Sequence, residues 1–323
     1  MRSHISPFQE VQTFLRQEFR NVLPHIFATE REQRAIEIAL SAPGKLFYEQ
    51  SDKNVSGIWS LLPYLLACDL SALAPLATVT MVYARMALAV ESLLCALDIM
   101  DDIEDGDESE IIQLFGRQGA LDIALRLQMV VCPALLHSLQ ELFVPESMIF
   151  RLQQQVSMSV LSAAGGQHLD LLSERQTFTE TSESFYIQMV AAKSGALASC
   201  ACSLAALSSG IEQEEQLQLV ARLGTLLGIW QQIRNDSRDY QQPAQKSDIL
   251  RGKKTLPVII AHQLTSSDLP AAELTQHVLR RCQTREHYFQ QQVYTSIQNI
   301  EDSTGKQFSS ALRLLLGVPL KNN

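Results

Sequence analysis

Residues 97–107 read LDIMDDIEDGD. Asp98, Asp101, Asp102 and Asp105 fall at steps i, i+3, i+4 and i+7, so on a helix all four carboxylates share one face. Glu91, seven residues before Asp98, lies near the same face. Two carboxylates about 6 Å apart repel by roughly 3 kcal/mol at an effective dielectric near 20. The negative end of a helix dipole adds to that penalty. Such a stripe calls for cations, and oxygen donors without His or Cys suit Mg²⁺. The plainer alternative is a solvated acidic face. The nearly continuous apolar run before the stripe favours a stripe turned toward a bundle interior.

Residues 228–240, GIWQQIRNDSRDY, hold a second acidic cluster, Asn235, Asp236 and Asp239. Asn235 and Asp239 share a helical face and could hold one cation. Downstream, residues 246–257 read KSDILRGKKTLP, a short loop bearing Lys246, Arg251, Lys253 and Lys254. Two acidic patches and a cationic loop are the parts that a metal-bound diphosphate requires: Mg²⁺ bridges carboxylates to phosphate oxygens, and Lys or Arg neutralises the rest. Lys193 stands in an apolar segment, where an unpaired ammonium would be expensive. Gly166, Gln167 and Asp170 sit within another long helical stretch, where an ordinary interior polar pair is the plain reading.

The elements that must position these groups read almost entirely with helical period. In residues 8–19, Phe8, Val11, Phe14, Leu15 and Phe19 recur at three- and four-residue steps. Residues 79–105 form a long helix, apolar all round in its first half. Residues 121–142, 150–172, 185–207, 214–239, 256–264, 284–300 and 306–316 continue the series. Polar breaks at 41–51, 106–110, 173–184, 241–252 and 265–270 are too short to separate independent domains. The expectation is one all-α domain over residues 1–323, a large single-domain helical bundle with central members buried on most of their circumference.

Composition narrows the class. Hydrophobic residues make up 46% of the chain and charged residues 19%, enough to bury a large core and to exclude wholesale disorder. A net charge of −9 argues against a nucleic-acid binder. The N-terminus has no apolar run behind its positive charge, so it does not read as a secretory signal. The uncharged run 194–211 is too rich in Ser and Gly for a convincing membrane span. Six cysteines without a CxxC pair read as thiols of a reduced, cytoplasmic protein with no transmembrane segment.

The order of these motifs resembles the all-trans polyprenyl diphosphate synthases, within the class I isoprenoid synthases. Asp101-Asp102-Ile-Glu-Asp105 matches the family's DDxxD. Gly166-Gln167-x-x-Asp170 resembles GQxxD, and Lys193-Ser194 its Lys-Thr pair. Residues 232–239 match the second aspartate-rich motif, and residues 252–257 match GKxTLP. The wording LDIMDDIEDGD is closest to bacterial prenyltransferases that modify pheromone peptides. The resemblance implies the isoprenoid synthase fold, a homodimer and three Mg²⁺ ions. It implies that an allylic isoprenoid diphosphate loses pyrophosphate and that the carbocation alkylates a nucleophile in an apolar cavity. Asp101 and Asp105 would hold two metals and Asn235 and Asp239 the third, with Asp102 and Asp236 supporting them or binding through water. Lys193, Arg234 and Lys253 would grip the diphosphate. Lys193, Ser194 and Gln232 would act on the reacting end, Ser194 and Gln232 offering oxygens to the developing cation.

The departures fall on the acceptor side. The family's GKRxRP segment, which helps bind isopentenyl diphosphate, is reduced to Pro43-Gly44-Lys45-Leu46-Phe47-Tyr48. Residues 106–114, GDESEIIQL, lack the paired arginines that follow DDxxD, and Asp107, Glu108 and Glu110 would repel a second diphosphate. The sequence therefore reads as a prenyltransferase whose acceptor is not isopentenyl diphosphate, a peptide or aromatic group among the candidates. Asn235 in place of Asp keeps open a terpene synthase that cyclises one prenyl diphosphate. A non-catalytic synthase subunit is the third reading. Leu94, Cys95 and Ala96, on the helix before DDxxD, would set donor length, and their size permits C15 or longer.

Overall fold

A computed structural model describes residues 7–48, 57–72, 76–241, 252–264 and 270–320. Every regular element among the described residues is helical, and the all-α expectation holds. In chain order the helices are α1 (Pro7–Ile26), α2 (Glu30–Ala39), α3 (Ile58–Leu70), α4 (Ala77–Asp105), α5 (Glu110–Arg126), α6 (Cys132–His137), α7 (Glu146–Ser173), α8 (Glu183–Val190), α9 (Ala196–Ser208), α10 (Glu214–Gln241), α11 (Leu256–Leu264), α12 (Ala271–Thr304) and α13 (Ser310–Leu315).

The chain groups into two compact units. The first comprises Met1–Val156, Ala201–Leu217 and Ile300–Asn323; the second comprises Ser157–Cys200 and Gln218–Asn299.

In the first unit α4 is the central member. Residues 83–96 are buried without interruption, because a helix apolar all round needs neighbours on every side. Those neighbours are α1, α3, α5 and α6. Arg85, inside this run, is neutralised by Glu18 at 2.9 Å and Glu141 at 2.7 Å. Gly106 ends the helix in the left-handed conformation (φ 72°), and the Asp107 N–H returns to the Asp102 carbonyl at 2.9 Å. The next helix is kinked at Gly116 (φ 69°, ψ 166°). A wide π-type turn at Leu127–Val131 then precedes Pro133 near the start of α6, a residue with no N–H to give to a regular ladder.

In the second unit a π-type turn, Ala191–Gly195, joins α8 to α9 and carries Lys193 and Ser194. Close backbone approaches explain how this turn is held. A Cβ on Gly166 of α7 would stand 2.3 Å from the Lys193 nitrogen, and one on Gly228 of α10 would stand 2.4 Å from the Ser194 carbonyl oxygen.

Several expectations need correction. Helices α2 and α3 have no counterpart in the sequence reading. The α2 sequence is short and charge-rich, burying only Ile36 and Ala39, and α3 is apolar on all sides around Pro63, so neither shows a helical stripe. The helix expected over 306–316 is confined to Ser310–Leu315, and the helix expected over 121–142 runs without a gap but widens into the π turn at Leu127–Val131. By length and composition alone, Ala77–Asp105, Glu110–Leu142 and Glu183–Ser208 would suffice to cross a membrane. The apolar windows of the first and third are 78% and 61% buried inside the protein. All six cysteines are free thiols, and burial pushes those of Cys95, Cys200 and Cys282 up to about 12.

Candidate active site

The acidic stripe occupies the last two turns of α4, in the first unit. Asp105 is buried, Asp101 and Asp102 are half-buried, and Asp98 is exposed. The stripe thus turns inward only at its end. Burial pushes the Asp102 carboxyl above the usual carboxylate range, and the charges of Asp98, Asp101 and Asp107 add to it. A cation among these oxygens would relieve that crowding, so the donor set suits a hard divalent ion. Among the described residues no three Asp, Glu, His or Cys side chains already converge as a ligand set.

Asp98 has a partner of its own. Lys45, buried, forms an ion pair with it, and the Leu46 N–H beside that lysine donates to Glu91 Oε1 at 2.8 Å. Burial alone would push the Lys45 ammonium down, but Asp98, then Cys95 and Glu91, more than offset it and hold it above the usual lysine range. Glu91 is itself fully buried, and desolvation raises its carboxyl against the opposing pull of Lys45. The Cys95 thiol donates to the Ala39 carbonyl at 3.6 Å, so it faces α2. Arg117, the first base after the stripe, donates to the carbonyls of Ile103 (3.3 Å) and Gly106 (3.2 Å) and to Glu108 (2.9 Å). It caps the end of α4.

The second unit brings together most of the other candidates. The Lys193 ammonium lies 2.9 Å from Asp170 Oδ2, and Lys253 lies 3.8 Å from the same oxygen. Asp170 thus gathers two lysines from segments sixty residues apart in sequence. Ser194 Oγ donates to Gln232 Oε1 at 2.9 Å, and Gln232 Nε2 donates to Asp236 Oδ1 at 2.8 Å. The other oxygen of Asp236 accepts from the Tyr186 hydroxyl at 2.6 Å. Burial, then the charge of Asp236, keeps that phenol far above its ordinary range. Asn235 Oδ1 accepts from Gln231 at 3.0 Å, and Asp239 is half-buried one turn on. Lys254 donates to the Gly252 carbonyl at 2.7 Å and lies 4.8 Å over the Phe178 ring. Arg234 is exposed and sits over Trp230 at 5.2 Å, away from the Asp170 lysines in its contacts. Lys246 and Arg251 lie outside the described residues.

Tyr186 and Arg117 were missed by the sequence reading. A buried tyrosine hydroxyl needs a partner, and Tyr186 seven residues before Lys193 was the available signal.

An all-α chain with two aspartate-rich helix ends and a paired-lysine cluster defines a class I isoprenoid diphosphate enzyme, a prenyltransferase in its general reaction. The sequence profile of the polyprenyl synthetase family matches residues 64–297, and the chain belongs to that family. Similar solved structures include a geranylgeranyl pyrophosphate synthetase from the archaeon Geoglobus acetivorans, 20% identical, covering 97% of both chains with a TM-score of 0.66. A decaprenyl diphosphate synthase from Rhodobacter capsulatus is 16% identical over 95% of both chains, TM-score 0.67. A geranyltransferase from Helicobacter pylori, complexed with magnesium and isoprenyl diphosphate, is 15% identical over 98% of both chains, TM-score 0.69. No curated protein sequence matches the chain.

Proposed function

We propose that the two units act as one catalytic domain that ionises an allylic isoprenoid diphosphate and passes the prenyl group to an acceptor other than isopentenyl diphosphate. The observation that carries the acceptor reading is the state of the bases on the acceptor side. Lys45, the one lysine kept from the family's isopentenyl diphosphate segment, is buried against Asp98 beside Glu91. Arg117 is committed to carbonyls and to Glu108 at the end of α4. A second diphosphate needs charge-assisted donors, and each of these bases already faces a carboxylate of its own, whereas Lys193 and Lys253 share Asp170.

On the donor side, Lys193 and Lys253 hold the diphosphate. Asp101 and Asp105 on one helix and Asn235 and Asp239 on the other would hold Mg²⁺, three ions on the family's pattern, while Asp102 and Asp236 support them. Bound Mg²⁺ would supply neutralisation of the departing pyrophosphate. The hydrogen bonds from Tyr186 and Gln232 to Asp236 support its placement as a supporting residue. Ser194 and Gln232 offer oxygens at the reacting end. A homodimer accords with the exposed apolar residues Leu121, Leu125 and Met129, and free thiols throughout accord with the cytoplasm.

The test supplies Mg²⁺ and C10, C15 or C20 allylic diphosphates, with isopentenyl diphosphate, with peptide or aromatic acceptors, or alone. Pyrophosphate release dependent on a peptide or aromatic acceptor is expected. Longer diphosphates would overturn the acceptor reading, and volatile hydrocarbons or alcohols from one substrate would assign a cyclase. No turnover, with tight binding to an active homologue, would assign the subunit role.

A further inference from the structure

The hydrogen-bonded chain around Asp236 has a direction. A carboxylate only accepts, so the atom of Gln232 facing Asp236 Oδ1 must be its amide nitrogen. That orientation turns the Gln232 carbonyl to Ser194, whose hydroxyl hydrogen is then committed to Gln232. The remaining lone pairs of Ser194 Oγ point elsewhere, and Ser194 is only half-buried, on the π turn beside Lys193. Tyr186, fully buried, holds the other oxygen of Asp236 and prevents the carboxylate from rotating.

We infer that Tyr186 and Asp236 are positioning residues that fix the polarity of the Gln232 amide, so that Ser194 presents an oxygen lone pair rather than a hydrogen to the reacting end of the donor. An oxygen lone pair aimed at developing positive charge stabilises the transition state, whereas a hydroxyl hydrogen in its place opposes it. With the amide reversed, Gln232 would donate to Ser194 and free that hydrogen to swing toward the cation. The inference rests on the ionisation chemistry proposed above.

The test is a double-mutant cycle read by pyrophosphate release, with Tm recorded for each variant. Tyr186→Phe is expected to lower kcat about tenfold and leave KM for the allylic diphosphate within about twofold. In the Ser194→Ala background the same change is expected to have no further effect, because Tyr186 acts through that hydroxyl. In Ser194→Thr, which restores a hydroxyl, the loss is expected to return. Equal losses in all three backgrounds, or a change in KM alone, would overturn the inference. Neutron diffraction on the wild-type protein reads the direction independently of turnover. A Ser194 deuteron on Gln232 Oε1 is expected, and a Gln232 amide deuteron on Ser194 Oγ would overturn it. If the wild type released no pyrophosphate while the deuterons lay as expected, the ionisation reading would fail and the hydrogen-bond polarity would stand.

Discussion

At Lys45 one ammonium serves two carboxylates. Asp98 contacts it directly, and Glu91 lies buried beside it. Removing the cation would leave a buried acid with only the Leu46 N–H to offset its charge, so Lys45→Met should destabilise the protein by about 3 kcal/mol in urea unfolding. An unchanged midpoint would show that the pair contributes nothing. The burial of Glu91 also gives pH dependence a sign. Its folded carboxyl titrates above the ordinary 4.5, so the folded state binds the proton more tightly than the unfolded state. Its contribution to stability is therefore full below 4.5 and is lost as pH rises through the folded value. Glu91→Gln keeps an acceptor for the Leu46 N–H and should flatten that decline in a pH series of Tm values.

At the scale of elements, α4, α7 and α10 were legible because long apolar runs with motifs near their ends leave few alternatives. The shared helical face of Asp98, Asp101, Asp102 and Asp105 was legible from spacing alone. That Asp98 pairs with Lys45 was not, since the two are 53 residues apart and only the packed helix brings them together. The same holds for the route from Tyr186 to Ser194 through Asp236 and Gln232. Helix α3 was hidden because uniform apolarity carries no period. The π turn bearing Lys193 was hidden because its cause is packing against Gly166 and Gly228, in other helices. Both glycines are places where a methyl group meets backbone. Gly228→Ala should cost about 1–3 kcal/mol and lower activity with it, as Tm and pyrophosphate release would show. Full retention of both would mean that the turn tolerates displacement. Of the residues expected to set donor length, Cys95 faces α2, which leaves Leu94 and Ala96. Leu94→Ala should lengthen the preferred donor in competition assays among C10, C15 and C20 diphosphates, and an unchanged preference would remove that assignment.

For the whole molecule, the family and the all-α fold are settled by the sequence profile and by the helices, and the chemistry hangs on how the two acidic helix ends work together. Each end lies in its own compact unit, with Asp101 and Asp105 in one and Asn235 and Asp239 in the other. The proposed ionisation requires one diphosphate to engage both. A crystal structure with Mn²⁺ in place of Mg²⁺ and a non-ionising thio analogue of an allylic diphosphate measures this directly, because anomalous scattering marks each ion. Ions bound by Asp101 and Asp105, a further ion bound by Asn235 and Asp239, and all of them on the same diphosphate are the predicted result. Diphosphate bound with ions at one acidic end only, or at neither, would contradict it.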